Sequence, residues 1–219
     1  MKTPFVDIHT HKKGEGCGFS YGIHPWSVQP GCGLALPSNA LAIGETGLDR
    51  LHKDTYDLQL EIFEKHILLS EQYQKPLIIH NVKATADILR LHKKYHPQQA
   101  WIIHGFNGSV EEAHQLTDQK CYLSVGESIF YPNRKITKTI SSIPLEYLFL
   151  ETDTSEKTIQ QIYEKAAELL NLSIDQLKEQ IFANFARLNL NVWKTGNNAP
   201  DCSSETMALI NGLLNPQSL

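Results

Sequence analysis

The chain has 219 residues, of which 41% are hydrophobic and 20% charged, and its formal net charge is -4. This composition excludes a disordered chain and is typical of a globular domain large enough to bury most of its apolar surface. Affinity for phosphate backbones comes mainly from lysine and arginine, so the acidic balance argues against strong non-specific binding to a polyanion. Any contact with nucleic acid is therefore expected to be local.

The four cysteines are scattered through the chain without the CxxC spacing of a zinc site: Cys17, Cys32, Cys121 and Cys202. We also find no signal peptide and no apolar span of membrane-crossing length. The sequence therefore predicts free thiols in a reducing, cytoplasmic setting, with no membrane partner. It leaves the oligomeric state open.

The first predicted element is an apolar run at residues 5–11 that ends in two histidines, His9 and His11. Side chains at positions i and i+2 of a strand point to the same face, so both imidazoles can aim at one metal ion. A metal site needs three or more protein ligands. Alone, the pair is equally compatible with two ordinary loop histidines.

Six further apolar runs of strand type follow. They lie at residues 19–25, 41–49, 76–80, 100–105, 121–126 and 147–153. Helical spacing separates the later runs, first at residues 54–74, where Leu58, Ile62, Leu69 and Tyr73 share a predicted face, and next around Ile88, Leu89 and His92. Capping boxes at Ser109 with Glu112 and at Ser173 with Gln176 open two more helices, and Ile159, Ile162, Ala166 and Leu169 mark another.

Strands rich in Val, Ile and Leu that alternate with helices predict a buried parallel sheet. This pattern fits a (β/α) barrel or an open doubly wound sheet. Residues 195–205 are rich in Gly, Asn, Pro and Ser. We predict one domain at residues 1–195 and a C-terminal extension at 196–219 that is not a separate domain.

Polar side chains stand at the carboxyl ends of these strands: His9, His11, Glu45, His80, His104 and Asp153. A barrel would bring the strand ends together at one face, whereas an open sheet would spread them along an edge. Four imidazoles and two carboxylates suit Zn, Mn or similar ions. Six ligands exceed what one tetrahedral site needs, so two metals that share a carboxylate fit the count better than one.

Several motifs occur in the order found in a known family. They are Asp7-x-His9-x-His11, Gly22-Ile23-His24-Pro25, Gly44-Glu45-Thr46-Gly47-Leu48-Asp49, Pro76-x-Ile78-Ile79-His80, His104-Gly105-Phe106-Asn107-Gly108, Leu150-Glu151-Thr152-Asp153 and Asn184-Phe185-Ala186-Arg187-Leu188. Together they resemble the TatD family of metal-dependent hydrolases. The resemblance implies a distorted TIM barrel and metal-dependent hydrolysis of phosphodiester bonds in DNA.

The resemblance also implies roles for individual residues. One divalent ion (Zn, Mn or Mg) is expected on His9, His11, Glu45 and Asp153, and a second on Glu45, His80 and His104, with Glu45 as the bridge. Asp153 and Glu45 are the expected catalytic residues, and Asp153 is placed to take a proton from water. His24, Asp49 and Lys83 are expected to contact the substrate or orient ligands, with Gln59 as another orienting residue.

The chain departs from the family pattern at three places. Residues 12–18 are too short for the βα unit that usually follows the first strand, which predicts a barrel of seven recognisable strands with one unit missing. The family's basic residue is replaced by Val82, with Lys83 beside it, and the loop after Asp153 is short. Lys12, Lys13, Arg134 and Lys135 are further candidates for phosphate contacts or plain surface residues.

Two other functions remain open at this point. The shortened loops suit a small-molecule hydrolase of the same barrel type that acts on a phosphoester, an amide or a lactone. A non-catalytic binding protein that has kept the barrel is the third possibility, although the full set of six candidate ligands argues against it.

Overall fold

A computed structural model of the protein describes residues 3–11, 19–33, 36–37 and 40–188, and the backbone of 206–208. Six strands form one parallel sheet in chain order: β2 (Phe19–Tyr21), β3 (Ala40–Asp49), β4 (Leu77–Val82), β5 (Trp101–Ile103), β6 (Tyr122–Val125) and β7 (Leu148–Leu150). The α-helices are α1 (Tyr56–Tyr73), α2 (Thr85–Tyr95), α3 (Val110–Asp118), α4 (Ile136–Thr139), α5 (Ile159–Leu170) and α6 (Ile174–Arg187).

The first strand, β1 (Phe5–Asp7), lies beside the last strand of this sheet. The Ile8 amide donates to the Leu150 carbonyl at 3.1 Å, and the Asp153 amide donates to the His9 carbonyl at 2.9 Å. A doubly wound sheet reverses its strand order at a switch point, whereas here the strands follow chain order and the first adjoins the last. The prediction of a distorted TIM barrel with seven recognisable strands is confirmed.

A short strand from the C-terminal extension, β8 (Thr206–Ala208), pairs in parallel with β1. The Val6 amide donates to the Tyr163 hydroxyl, and the Ile8 amide donates to the Leu150 carbonyl. Both amides therefore point to the edge of β1 that faces β7. Alternate residues of a strand use opposite edges, and β8 therefore runs along the other edge of β1. The predicted domain boundary at residue 195 lies outside the described residues and stays a prediction.

Apolar side chains of the strands and of the helix faces above them form the buried core. Both predicted capping boxes are present, at Ser109 with Glu112 and at Ser173 with Gln176, and a third joins Thr158 to Gln161. Cys121 is buried and Cys32 half-buried, both as free thiols, while Cys17 and Cys202 lie outside the described residues. No helix among the described residues is long and apolar enough to cross a membrane.

The buried face of α1 differs from the predicted one. Tyr73 is exposed, and the buried side chains are Gln59, Ile62, Phe63, His66, Ile67 and Ser70. Ile62 is buried as predicted, Leu58 and Leu69 are half-buried, and the prediction was wrong for Tyr73 and missed the polar residues of this face. The polar members of this face are buried because they bond to groups of neighbouring segments: Gln59 accepts from the Asp49 amide at 2.8 Å, and Ser70 donates to the Lys75 carbonyl at 2.6 Å.

His66 joins α1 to the loop that carries His24. Its Nε2 accepts from the Ile23 amide at 2.9 Å, so Nδ1 carries the proton and donates to the Ile62 carbonyl at 2.7 Å. Burial lowers the pKa of His66 to about 4, because no buried negative charge offsets the cost of the imidazolium. The native protein therefore holds this side chain neutral.

This neutral histidine predicts a loss of stability in acid. Between pH 6.5 and 4 the unfolded chain binds a proton at His66 that the native state excludes, so the free energy of unfolding falls as the pH falls. The His66 contribution to this loss is about 3 kcal/mol. Urea unfolding across this pH range measures it.

His66→Gln removes the titration, so we expect this variant to be less stable than wild type at pH 7 and to lose less stability on acidification. The exposed His114 supplies the control, since His114→Gln should follow the wild-type curve. Parallel curves for His66→Gln and wild type would contradict the assignment.

Candidate metal centre

Two glycines of β3 allow this strand to approach β4 closely and place Glu45 beside His80. Gly44 and Gly47 have φ angles of +128° and +139°. A Cβ at Gly47 would lie 2.2 Å from the His80 carbonyl oxygen, and one at Gly44 would lie 2.4 Å from that of Ile78. Only glycine fits these positions, so the Gly-Glu-Thr-Gly motif fixes the backbone on both sides of the Glu45 carboxylate.

One oxygen of Glu45 faces three histidines. Glu45 Oε1 lies 2.7 Å from His104 Nε2, 2.8 Å from His80 Nδ1 and 3.1 Å from His24 Nε2. His80 lies within β4, and His104 follows β5. His24 comes three residues after β2, at the N-terminus of a 3-10 turn, where its Nδ1 accepts from the Trp26 amide at 3.1 Å.

The other oxygen of Glu45 faces the residues that follow β1 and β7. Glu45 Oε2 lies 3.4 Å from His9 Nε2 and 3.6 Å from His11 Nε2. Asp153 Oδ1 lies 3.3 Å from His11 Nε2 and 3.7 Å from His9 Nε2. The structure thus brings together all six residues that the sequence selected, and it sorts them around the two oxygens of one carboxylate.

The donor atoms around Glu45 Oε2 have the spacing of a metal's ligands. Ligands of a tetrahedral zinc ion lie roughly 3.3 Å apart, and the four distances from the nitrogens of His9 and His11 to the oxygens of Glu45 and Asp153 are 3.3–3.7 Å. His9 is fully buried, yet neither of its ring nitrogens has a hydrogen-bond partner in the described part of the chain. These residues fit a divalent cation.

The group around Glu45 Oε1 is tighter. Its distances of 2.7–3.1 Å are those of direct hydrogen bonds, and His104 Nε2 lies 3.3 Å from His80 Nδ1. His24, Glu45 and His80 offer donor atoms within 4.8 Å of one another, so His24 joins this group as closely as the predicted ligands do. The metal-binding roles of all these residues stay predictions.

The charges of the centre are strongly coupled. Burial would raise the pKa of Glu45, but the surrounding imidazoles, with His104 foremost, hold it well below its usual range. Burial alone would lower the pKa of His104, yet the charges of Glu45 and Glu151 raise it well above the ordinary value. Buried carboxylates of this kind need a compensating cation, which can be protons on the imidazoles or a bound metal.

Asp153 is the most accessible carboxylate of the centre, with 36% of its side chain exposed compared with 8% for Glu45. Burial and the charge of Glu151 raise its pKa, which makes the carboxylate a better proton acceptor. A cavity of about 300 Å³ opens beside it. Its wall includes Glu127, Ser128, Ser155 and Glu156, so this side of the centre is polar and acidic.

A second layer of contacts orients the ligands. The buried carboxylate of Glu151 accepts from the Gly105 amide at 2.6 Å and lies 3.6 Å from His104 Nδ1. Asp49 Oδ2 lies 3.7 Å from His80 Nε2, which is longer than a hydrogen bond, and the orienting role of Asp49 stays a prediction. Gln59 acts one step further away, since it bonds to the Asp49 amide and not to a ligand side chain.

Asp7 and Glu151 stand in two of the sequence motifs, which predict no role for either residue. The buried carboxylate of Asp7 accepts from the amide and the hydroxyl of Thr152 at 2.9 and 2.6 Å, and the oxygen of this hydroxyl accepts from the Thr10 hydroxyl at 2.7 Å. This network joins the segment with His9 and His11 to the segment with Asp153. Strand alternation offered a signal for Glu151, since it stands two residues before Asp153, as His9 stands before His11.

The predicted phosphate contacts are less well placed. Lys83, Arg134 and Lys135 are exposed, and Lys12 and Lys13 lie outside the described residues. Lys83 directly follows β4 and has a left-handed backbone with φ of +54°. Its substrate contact stays a prediction.

The two oxygens of Glu45 face separate donor groups, so substitutions at Glu45 and at His11 should differ in the number of metal ions they cost. We expect wild type to retain up to two divalent ions per chain. His11→Asn should cost one of them, and Glu45→Gln should cost both, because it removes the shared carboxylate charge. Elemental analysis after dialysis against Zn²⁺ or Mn²⁺ measures this, with the exposed His114→Gln as control.

Equal metal content in Glu45→Gln and His11→Asn would rule out a bridging Glu45. Wild-type metal content in both would remove the metal centre itself from this group of residues.

Comparison with known proteins agrees with this geometry. Residues 8–189 match the model of a family described as TatD related DNase. Three curated relatives are named uncharacterized metal-dependent hydrolases. YabD of Bacillus subtilis is 30% identical over 71% of this chain and 67% of its own length. YjjV of Escherichia coli K12 is 30% identical over 62% of this chain and 57% of its own length. YcfH of the same strain is 28% identical over 78% of this chain and 72% of its own length.

Solved structures share the fold. The TatD homologue YjjV from Escherichia coli superposes with a TM-score of 0.65 at 24% identity, covering 69% of this chain and 64% of its own. A TatD family hydrolase from Entamoeba histolytica gives 0.61 at 20% identity, over 68% and 63%. The chain thus spans about two thirds of these proteins. The matched family model covers most of the chain and both halves of the candidate centre, and the chain belongs to the TatD family of metal-dependent hydrolases.

Proposed function

We propose that this protein is a metal-dependent hydrolase that cleaves phosphodiester bonds in DNA. The observation that carries the proposal is the Glu45 carboxylate, whose two oxygens each face a separate group of metal-binding side chains. A carboxylate shared between two cations is a recurring feature of enzymes that hydrolyse phosphate esters. The proposal includes one or two divalent ions, with Zn, Mn and Mg as candidates.

The side chains divide the work of hydrolysis. Divalent cations held by these residues would supply Lewis acidity, which lowers the pKa of water toward about 7 and polarises a phosphoryl oxygen. Asp153 accepts the proton of the attacking water, because it is the carboxylate of the centre most open to the cavity and its pKa is raised. Glu151 and Asp49, at 3.6 and 3.7 Å from the rings of His104 and His80, are proposed to orient them.

DNA as the substrate is supported by the description of the family, whereas the curated relatives are named only as hydrolases. The net charge of -4 is compatible with this substrate if the contacts are few and close to the scissile phosphate. The cytoplasmic location predicted from the cysteine pattern belongs to the same proposal.

Asp153 supplies the main test of the mechanism. We expect Asp153→Asn to lower kcat on DNA by about 10²- to 10⁴-fold, because the amide cannot take the proton of the water. Glu45→Gln should abolish turnover. Digestion of single- and double-stranded DNA, with added Mn²⁺ or Zn²⁺ and with a chelator, measures both effects.

Both variants should keep the wild-type fold, since neither side chain belongs to the hydrophobic core, and far-ultraviolet circular dichroism checks this point. Wild-type rates in Asp153→Asn would refute its role as the proton acceptor. DNA digestion that continues at an unchanged rate under chelation would refute metal dependence.

The acidic cavity beside Asp153 favours a second candidate function. At about 300 Å³ it has the size of a small-molecule pocket, and Glu127 and Glu156 on its wall repel a phosphate backbone. A hydrolase that acts on a small phosphoester, amide or lactone would use the same centre.

A substrate panel separates the two functions. For a deoxyribonuclease we expect kcat/KM for a short oligonucleotide to exceed that for aryl phosphodiesters, amides and lactones at the same metal concentration. Glu127→Gln serves as a matched probe of the cavity wall. If small-molecule substrates enter the cavity, this variant should change their turnover. If DNA is the substrate and stays outside the cavity, this variant should leave DNA cleavage unaffected.

A further inference from the structure

An exposed tryptophan lies at the rim of the candidate metal centre. Trp26 is 62% exposed, although tryptophan is among the side chains with most to gain from burial. It stands two residues after His24, and the centroids of its ring and the His80 ring are 5.9 Å apart. A group that stacks on Trp26 would therefore sit next to the atoms that face Glu45 Oε1.

The exposed ring is held in place by a buried carboxylate. Trp26 Nε1 donates to Asp49 Oδ2 at 2.8 Å, and His52 Nδ1 lies 3.1 Å from the same oxygen. Asp49 is itself fixed, because its Oδ1 accepts from the Leu51 amide at 2.8 Å. Exposed tryptophans are usually free to change rotamer, so this arrangement keeps the ring ordered.

The His52 ring packs at a tilt against the Trp26 ring. Their centroids are 5.1 Å apart with an angle of 35° between the planes, and His24 packs edge-on against Trp26 at 4.8 Å. The side of the centre near Trp26 is thus aromatic, whereas the side near Asp153 is acidic.

We propose that Trp26, with His52 packed against it, forms a stacking platform for a nucleobase of the strand whose phosphate lies at the metal centre. The inference rests on the proposed function and names a binding site for its substrate. A rigid aromatic surface binds a base at little cost in conformational entropy, and it accepts every base because each has a π-face. A nucleic acid can also place its phosphate at the centre and its base on the rim at the same time, away from the acidic cavity.

The test compares variants at two exposed positions of the same rim. Trp26→Ala should raise KM for a short single-stranded oligonucleotide by about 10-fold with kcat retained, because stacking contributes equally to ground-state and transition-state binding. Trp26→Phe keeps an aromatic face and should stay close to wild type. Leu51 is 61% exposed but has no π-face, so Leu51→Ala should leave KM unchanged.

A set of oligonucleotides with one abasic residue moved along the strand provides an independent check. At one position near the scissile bond, the KM difference between wild type and Trp26→Ala should vanish. In a metal-loaded Asp153→Asn background, where cleavage is slow, the intact oligonucleotide should quench part of the tryptophan fluorescence and quench less of it once Trp26→Phe is added. Trp101 is buried and Trp193 is present in both proteins, so the difference reports on Trp26.

The outcomes distinguish this inference from the proposed function. DNA cleavage by wild type with equal KM in Trp26→Ala and Leu51→Ala would overturn the platform and leave the nuclease in place. A loss of kcat in Trp26→Ala with unchanged KM would also overturn the platform, since this result would mean that Trp26 only supports His24 or Asp49. Absence of DNA cleavage by metal-loaded wild type would refute the nuclease instead, and fluorescence quenching would then decide whether the platform binds a base.

Discussion

The structure depends on one buried carboxylate placed among five imidazoles. Burying an ionised carboxyl group is costly unless charges and hydrogen bonds compensate for it, and the imidazoles around Glu45 supply that compensation from three strands and one loop. Glycines on both sides of the glutamate allow the close approach of β4 that this arrangement needs. Glu151 and Asp49 add negative charge close to His104 and His80.

The surroundings of this carboxylate are unequal on its two sides. Asp153 opens onto a cavity with further acids, while His24 and His80 adjoin a rim of aromatic side chains. Such asymmetry suits a substrate that places its phosphate at the metal centre and a planar part on the aromatic rim, away from the acidic cavity. A nucleotide has this form, and many small esters do not.

Much of the barrel and the identity of the central residues could be predicted from the sequence. Strands of a buried parallel sheet are apolar along their whole length, so a polar residue at a strand end stands out, as His80 and His104 do. The buried face of α1 could not be predicted this way, because His66 and Gln59 are buried through bonds to distant backbone amides. The inward position of His24 depends on the turn at Pro25, and the pairing of β8 with β1 has no counterpart in the apolar pattern.

The contacts that close the barrel join segments far apart in the chain, since Asp7 bonds to Thr152 across 145 positions. Closing so long a loop costs chain entropy, and few contacts are available between such short strands to offset that cost. His9 and His11 follow β1 and Asp153 follows β7, so an ion held by these three residues would link the first strand of the barrel to the seventh. In this molecule the cofactor of catalysis would then also hold β1 against β7.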